Sequence, residues 1–187
     1  MNKDYIIPNN KIILIGATGR NGGKTTLARA IIKKYKDTVP IIGFKLITVK
    51  DHSHICPRGG MGCGICEGLK GKYDIREELG EGTKDTMLLK EAGAKKVYLI
   101  RSLKDSLKEA LAEALSLVPE GALIVCESNS GRLVLKPSCF VMITSSTEKN
   151  IKPTAQAVIG QADFILNQTK EEFDDFLHNK LPNILNL

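Results

Sequence analysis

Tryptophan is absent from this sequence, and five phenylalanines and four tyrosines are all its aromatics. With so few flat side chains there is little surface on which nucleic-acid bases could stack. The formal net charge of +6 would invite a nucleic-acid partner, but the lysines are spread along the chain among acids, as in "KEAGAKK" and "KDSLKEALAE". Such interleaving marks solvated helix faces, so nucleic-acid binding is not expected. An anionic small ligand accounts for a mild positive bias equally well.

Long apolar runs are missing too. None approaches the ~20 residues that span a bilayer, so no membrane partner is expected. The first residues, "MNKDYIIPNNK", lack the apolar stretch and small-residue cleavage site of a secretory signal. The expected location is therefore cytoplasmic, where clustered thiols bind metal or do redox work more often than they form bridges.

What is present alternates regularly. Strand-like runs at 11–16, 40–49, 96–102, 122–127, 139–146 and 163–168 are separated by helical periodicity at 24–36, 84–93 and 103–118. A further helix, "PTAQAVIGQA", precedes the last strand, and "KEEFDDFLHNKL" follows it. Continuous apolar strands between helices predict a mostly parallel sheet covered on both faces, a three-layer α/β/α arrangement in one domain over 1–187. Ligands bind such sheets beyond the carboxyl ends of the strands. That rule gathers 16–26, 45–51, 127–131 and 167–169 into one neighbourhood. One long stretch, about 52–82, shows no clear periodicity and reads as a Cys/His/Gly-rich inserted loop.

The segment "IGATGRNGGKTTLARA" follows a strand and opens a helix, the context a phosphate-binding loop requires. Backbone N–H groups over Gly19, Arg20, Asn21, Gly22 and Gly23, with Lys24, Thr25 and Thr26 at the helix start, would wrap nucleotide phosphates. Lys24 would meet the β/γ-phosphates and the Thr25 hydroxyl would hold Mg²⁺. The usual G-x-x-x-x-G-K-[ST] pattern would put glycine where Thr18 stands. The alternative is a generic glycine turn of a dinucleotide fold. Asp51 and Glu127, just past or at strand ends, are acids placed to complete a Mg²⁺ shell, or else ordinary loop carboxylates. Lys45 could neutralise transferred phosphate or a substrate carboxylate. Asn167 either caps the last helix or meets an adenine edge. No N-K-x-D guanine signature is present, which favours ATP over GTP.

A shifted first glycine is found among SIMIBI-class P-loop proteins, and other segments resemble that class. "GFKLIT", "LIVCESNSG" and "FILNQT" resemble segments of dethiobiotin synthetases, with Lys45, Glu127 and Asn167 in the matching places. The resemblance implies that Glu127 helps bind Mg²⁺ and that Asn167 recognises the base. "KDTMLLKEAGAKKVYLIRS" looks more like the molybdopterin-guanine dinucleotide biosynthesis protein B family. Where dethiobiotin synthetases have "KP" and "EGAGG", this chain has Lys45–Leu46 and "ESNSG". The resemblance thus implies a P-loop NTPase fold and a nucleotide more than a reaction. It also implies a homodimer across the nucleotide face.

The inserted loop carries His52, His54, Cys56, Cys63 and Cys66, the last two as a Cys-x-x-Cys pair among glycines. Such a pair can wrap one metal, and glycine backbone can approach cluster sulfides. Tetrahedral Zn²⁺ on Cys56, Cys63 and Cys66 with His54 or His52 is one reading. An iron–sulfur cluster on the three cysteines is a second, and a Cys63/Cys66 thiol–disulfide pair a third. Cys126 and Cys139, inside apolar strands, read as core.

These features combine into one expectation: a Mg²⁺-dependent nucleotide-binding protein, an ATPase in cofactor or metallocentre biosynthesis, serving a small-molecule or protein acceptor. Its Cys/His site would respond to nucleotide state. Alternatives are an ATP-dependent ligase or kinase acting on a small carboxylate, like dethiobiotin synthetase, and a non-catalytic redox- or metal-responsive module.

Overall fold

The computed structural model describes residues 5–49, 69–145 and 150–186. Its centre is β1, Ile12–Ala17, six residues buried end to end. A strand buried on both faces must be apolar at every position, and "IILIGA" is. Alternation then divides its side chains. Ile13, Ile15 and Ala17 enter one core and Ile12 and Leu14 the other.

The remaining strands are β2 (Ile41–Val49), β3 (Tyr73–Glu77), β4 (Lys96–Leu103), β5 (Leu123–Glu127), β6 (Cys139–Thr144) and β7 (Phe164–Asn167). They form one sheet in the order β3-β4-β2-β5-β1-β6-β7. Every described pairing is parallel except β3 with β4, which is antiparallel.

Helices cover both faces. On the first lie α1 (Lys24–Tyr35), α2 (Asp85–Glu91), α5 (Lys170–Asp175) and α6 (Leu181–Leu185). They contribute Leu27, Ile31, Leu89, Phe173 and Leu181 to the first core. A wider π-type turn, Phe176–Lys180, joins α5 to α6. On the second face α3 (Leu107–Ser116) packs Leu107, Ala110, Leu111 and Ala114 at helical spacing, and α4 (Pro153–Gln156) adds Ala155. The expected α/β class with a mostly parallel sheet is what the structure has.

Two expectations need adjusting. The stretch 52–82, expected to be aperiodic loop, contains the strand β3. Tyr73 and Ile75 pack on the second core while Asp74 turns the other way to the buried Arg101 of β4. An edge strand has one neighbour and a half-exposed surface, so its alternation is short and partly charged. The helix expected over 103–118 opens as a 3₁₀ turn, Lys104–Ser106, before α3. Gly93 closes α2 at φ 113, in the left-handed region that favours glycine.

The spacing between layers matters at Gly43 of β2. A methyl group there would lie 3.2 Å from Val97 and 3.4 Å from Leu89. Glycine thus leaves room for Val97 of β4 and Leu89 of α2 beside it, which bears on the site.

Cys126 and Cys139 are buried in their strands, and burial pushes both thiols up to about 12. Neither offers a thiolate at neutral pH. Among the described residues no helix is long and apolar enough to cross a membrane.

Candidate functional site

The carboxyl ends of β1 and β5, β2 beside them, and the starts of α1 and α2 meet at one place. Parallel pairing puts Ile15 opposite Glu127 and Glu127 opposite Lys45, in one row across three strands. Side chains in such a row share a face. Here it is the face that α1 and α2 cover.

The turn from β1 into α1 is held from several sides. Asn129 accepts a hydrogen bond from the Ala17 N–H at 2.9 Å and donates one to the Ala17 carbonyl at 3.0 Å. Thr18 donates its N–H to Ile143, and its carbonyl accepts from the Lys152 N–H. Asn21 (φ 51) and Gly23 (φ 78) adopt left-handed conformations, and a Cβ on Gly22 would come within 2.9 Å of the Ala17 methyl. Alternating backbone handedness of this kind turns successive N–H groups into an anion-binding concavity. Gln168 closes the turn from outside by donating to the Asn21 carbonyl at 3.0 Å. The positive φ values fall at 21 and 23, not at 18, so the backbone does not require glycine at Thr18.

Helix α1 begins directly after Gly23, with no side-chain cap and no acid in its first turn. Among the described residues no side-chain cap meets its N-terminus, where the positive end of the helix dipole lies. Lys24 is half-buried there. Desolvation, then the nearby Lys45 ammonium, lowers its pKa to about 8.

Four further groups complete the arrangement. Lys45 Nζ lies 2.6 Å from Asp85 Oδ2 and 2.7 Å from Glu127 Oε2. The Thr25 hydroxyl lies 3.1 Å from both Asp85 Oδ1 and Glu127 Oε2, and with one proton it donates to one of them at a time. The Glu127 side chain is fully buried, yet its Oε1 has no hydrogen-bond partner among the described residues. An unmet carboxylate oxygen costs about 1–3 kcal/mol, which points to a ligand that would satisfy it. Burial alone would lower the Lys45 pKa, but Glu127 and Asp85 outweigh it and the pKa rises. Burial would raise that of Asp85, but Lys45 and Thr25 hold it below the usual range.

Of the residues singled out from sequence, the fold brings Lys24, Thr25, Lys45 and Glu127 together. Gly19, Gly22 and Gly23 line the turn, and Arg20, Asn21 and Thr26 lie exposed around it. The Asn167 amide donates to Glu172 at 2.6 Å and accepts from Thr144 at 3.2 Å, so one N–H and one lone pair remain for any other partner. The α5 cap is Thr169, which accepts from the Glu172 N–H. Asp51, His52, His54, Cys56, Cys63 and Cys66 lie outside the described residues.

Sequence reasoning missed Asp85, Asn129 and Gln168. A signal for Asp85 existed: an acid at the first position of a helix, in "KDTMLLK", just after a glycine-bearing turn. Asn129 sat unremarked in "ESNSG".

Among the described residues no three His, Cys, Asp or Glu side chains gather as a metal cage. Two carboxylates and a hydroxyl do converge, with one buried oxygen orphaned. That set fits Mg²⁺, which is commonly held by one or two carboxylates and completed by waters and phosphate. No protein-family model and no curated protein matches the chain.

Proposed function

We propose that the chain is a Mg²⁺-dependent nucleoside-triphosphate-binding protein of the P-loop type, an ATPase of the SIMIBI class serving cofactor or metallocentre biosynthesis. The observation that carries this reading is the position of Thr25. Its hydroxyl stands in the first turn of α1, immediately after a left-handed glycine turn, within 3.1 Å of both Asp85 and Glu127. Lys24 and Lys45 bring positive charge to the same place.

In this reading the Asn21–Gly23 turn and the open end of α1 bind the phosphates through backbone N–H groups. Lys24, its ammonium partly desolvated, pairs with the terminal phosphates more strongly than an exposed lysine would. Thr25, Glu127 and Asp85 would hold Mg²⁺, which would offset phosphate charge when bound. Asn129 keeps Ala17 in place, so the turn is shaped before ligand arrives. ATP is favoured over GTP by the absence of an N-K-x-D segment.

The molybdopterin-guanine dinucleotide biosynthesis protein B resemblance is supported over the dethiobiotin-synthetase one by two contacts. The acid in its "KD" segment, Asp85, reaches the site. Lys45, which a ligase would aim at a substrate carboxylate, is already held by two acids of the chain. Coupling of the Cys/His segment to nucleotide state is part of the proposal and rests on its place in sequence shortly after β2. Metal and acid-labile sulfide analysis of protein purified without oxygen identifies what that segment holds. Equal metal affinity with ADP and with an ATP analogue would overturn the coupling.

Calorimetric titration with ATP and GTP, with and without Mg²⁺, tests the nucleotide reading. Wild-type protein should bind, more tightly with Mg²⁺. Lys24→Ala should lose about tenfold to a hundredfold in affinity, the worth of a charge-assisted hydrogen bond. Undiminished binding by a folded Lys24→Ala variant refutes the phosphate-loop assignment.

A further inference from the structure

Lys45 occupies an unusual position relative to the acids that would hold a cation. Its ammonium is within 2.7 Å of both carboxylates, and its side chain is only 13% exposed. Thr25 shares the same two acids. Of their four oxygens, Asp85 Oδ1 and Oδ2 and Glu127 Oε2 are engaged, and only Glu127 Oε1 is orphaned. Asp85 and Glu127 face Lys24 and Lys45, with Lys152 near enough to act on Lys24, so the acids already have cationic partners within the chain. A divalent ion seeking these oxygens meets an ammonium already on them. The two cannot sit together in such a space without strong repulsion. Nucleotide phosphate changes the balance, because it brings several negative charges and offers Lys45 another partner.

We propose that Lys45 is a tethered counter-cation. It holds the Asp85 and Glu127 carboxylates while the site is empty of nucleotide, keeps free divalent ions off them, and releases them when phosphate draws its ammonium away. The inference rests on the nucleotide-binding reading above. It adds an order to it: divalent metal enters with the nucleotide and not ahead of it. Lys45 is then a positioning and gating residue for the acids, and its loss should be seen first in metal binding without nucleotide.

The test is uptake of free Mn²⁺, followed by the electron paramagnetic resonance signal of the unbound ion, on the full chain without nucleotide. Removing a unit charge 4 Å from a divalent ion is worth roughly thirtyfold in affinity even with water-like screening. Lys45→Met should therefore gain a Mn²⁺ site at least about thirtyfold tighter than wild type has there. Lys45→Arg, which keeps the charge, should not gain it, and Glu127→Gln added to Lys45→Met should abolish the gain. Lys45→Gln keeps a hydrogen-bond donor for the carboxylates and serves if the methionine variant does not fold. Equal Mn²⁺ uptake by wild type and the neutral variants overturns the inference. Failure of the nucleotide reading shows separately, as wild-type protein that does not bind ATP.

Discussion

Lys24 carries a cost in the unliganded protein that its removal should expose. The ammonium is partly desolvated and faces Lys45, and its pKa falls from an ordinary 10.5 to about 8. At 1.36 kcal/mol per pKa unit, that shift sets an upper limit of roughly 3 kcal/mol on the penalty of keeping it charged in the folded state. Water reaches the half-buried side chain, and screening brings the expected figure to about 1–2 kcal/mol. Methionine preserves the length of the aliphatic stem and removes the charge. For a chain of this size each kcal/mol moves Tm by about 2–4 °C. Lys24→Met should therefore melt about 2–8 °C above wild type at pH 7 without nucleotide.

The sign of the pH dependence follows from the same shift. Below about pH 8 Lys24 is charged in both folded and unfolded chains, and the penalty is fully present. Between about 8 and 10.5 the unfolded state binds more protons, so the contribution of Lys24 to stability rises with pH. The gap between variant and wild type should close over that window. Saturating Mg²⁺ and ATP should narrow or reverse the gap at pH 7, because ligand at a hundred times the wild-type Kd stabilises wild type by about 2.7 kcal/mol and a variant of tenfold to hundredfold weaker affinity by only about 0.4–1.4 kcal/mol. Thermal melts at pH 7 and 10.5, with and without nucleotide, make the comparison. A variant no more stable than wild type at pH 7, or a gap that persists at 10.5, refutes the reasoning.

Two other perturbations address the frame around the site. Asn129→Ala leaves the Ala17 N–H and carbonyl without their side-chain partner and should cost about 1–3 kcal/mol in urea unfolding. Asn129→Asp, which still accepts from the N–H, should recover part of that loss. Asp74 forms a fork of hydrogen bonds with the buried Arg101. Burial would raise its pKa, but Arg101 and then Arg76 hold it below the usual range. Its stabilisation is present above the ordinary value of 3.8 and is lost as pH falls through the folded value. Asp74→Asn should cost about 2–3 kcal/mol at pH 7 and progressively less as pH falls below 3.8, read from unfolding curves across that range.

How much of this was legible depended on how local the signal was. The central strands announced themselves because burial on both faces demands unbroken apolar runs such as "KIILIG" and "ALIVCE". Lys24 and Thr25 were legible because a phosphate loop is one continuous segment. Strand β3 was hidden by its edge position, where one neighbour and a charged face leave only Tyr73 and Ile75 as apolar marks. Asp85 was harder. It belongs to a helix that reaches Lys45 only once β4 has paired beside β2 and drawn α2 across that face. No spacing in the sequence encodes such a return. Asn129 was obscured by its company of serines and glycine, since a single amide bridging two backbone groups of another strand leaves no periodic trace.

Gly43 gives the site an unexpected sensitivity. It touches none of the polar groups, yet it sits where β2 meets Val97 of β4 and Leu89 of α2, the helix that carries Asp85. Asp85, at the head of that helix, reaches Lys45 across 2.6 Å. Adding one methyl group in the apolar layer would crowd Val97 of the neighbouring strand most, at 3.2 Å, so that seam would have to give by a few tenths of an ångström while Leu89 is only brought into contact. Overpacking of this kind costs about 1–3 kcal/mol, and a charge pair carried by the same strand and helix feels the shift as well. The tolerance of the polar cluster is thus machined elsewhere, in the hydrophobic floor on which its helix rests.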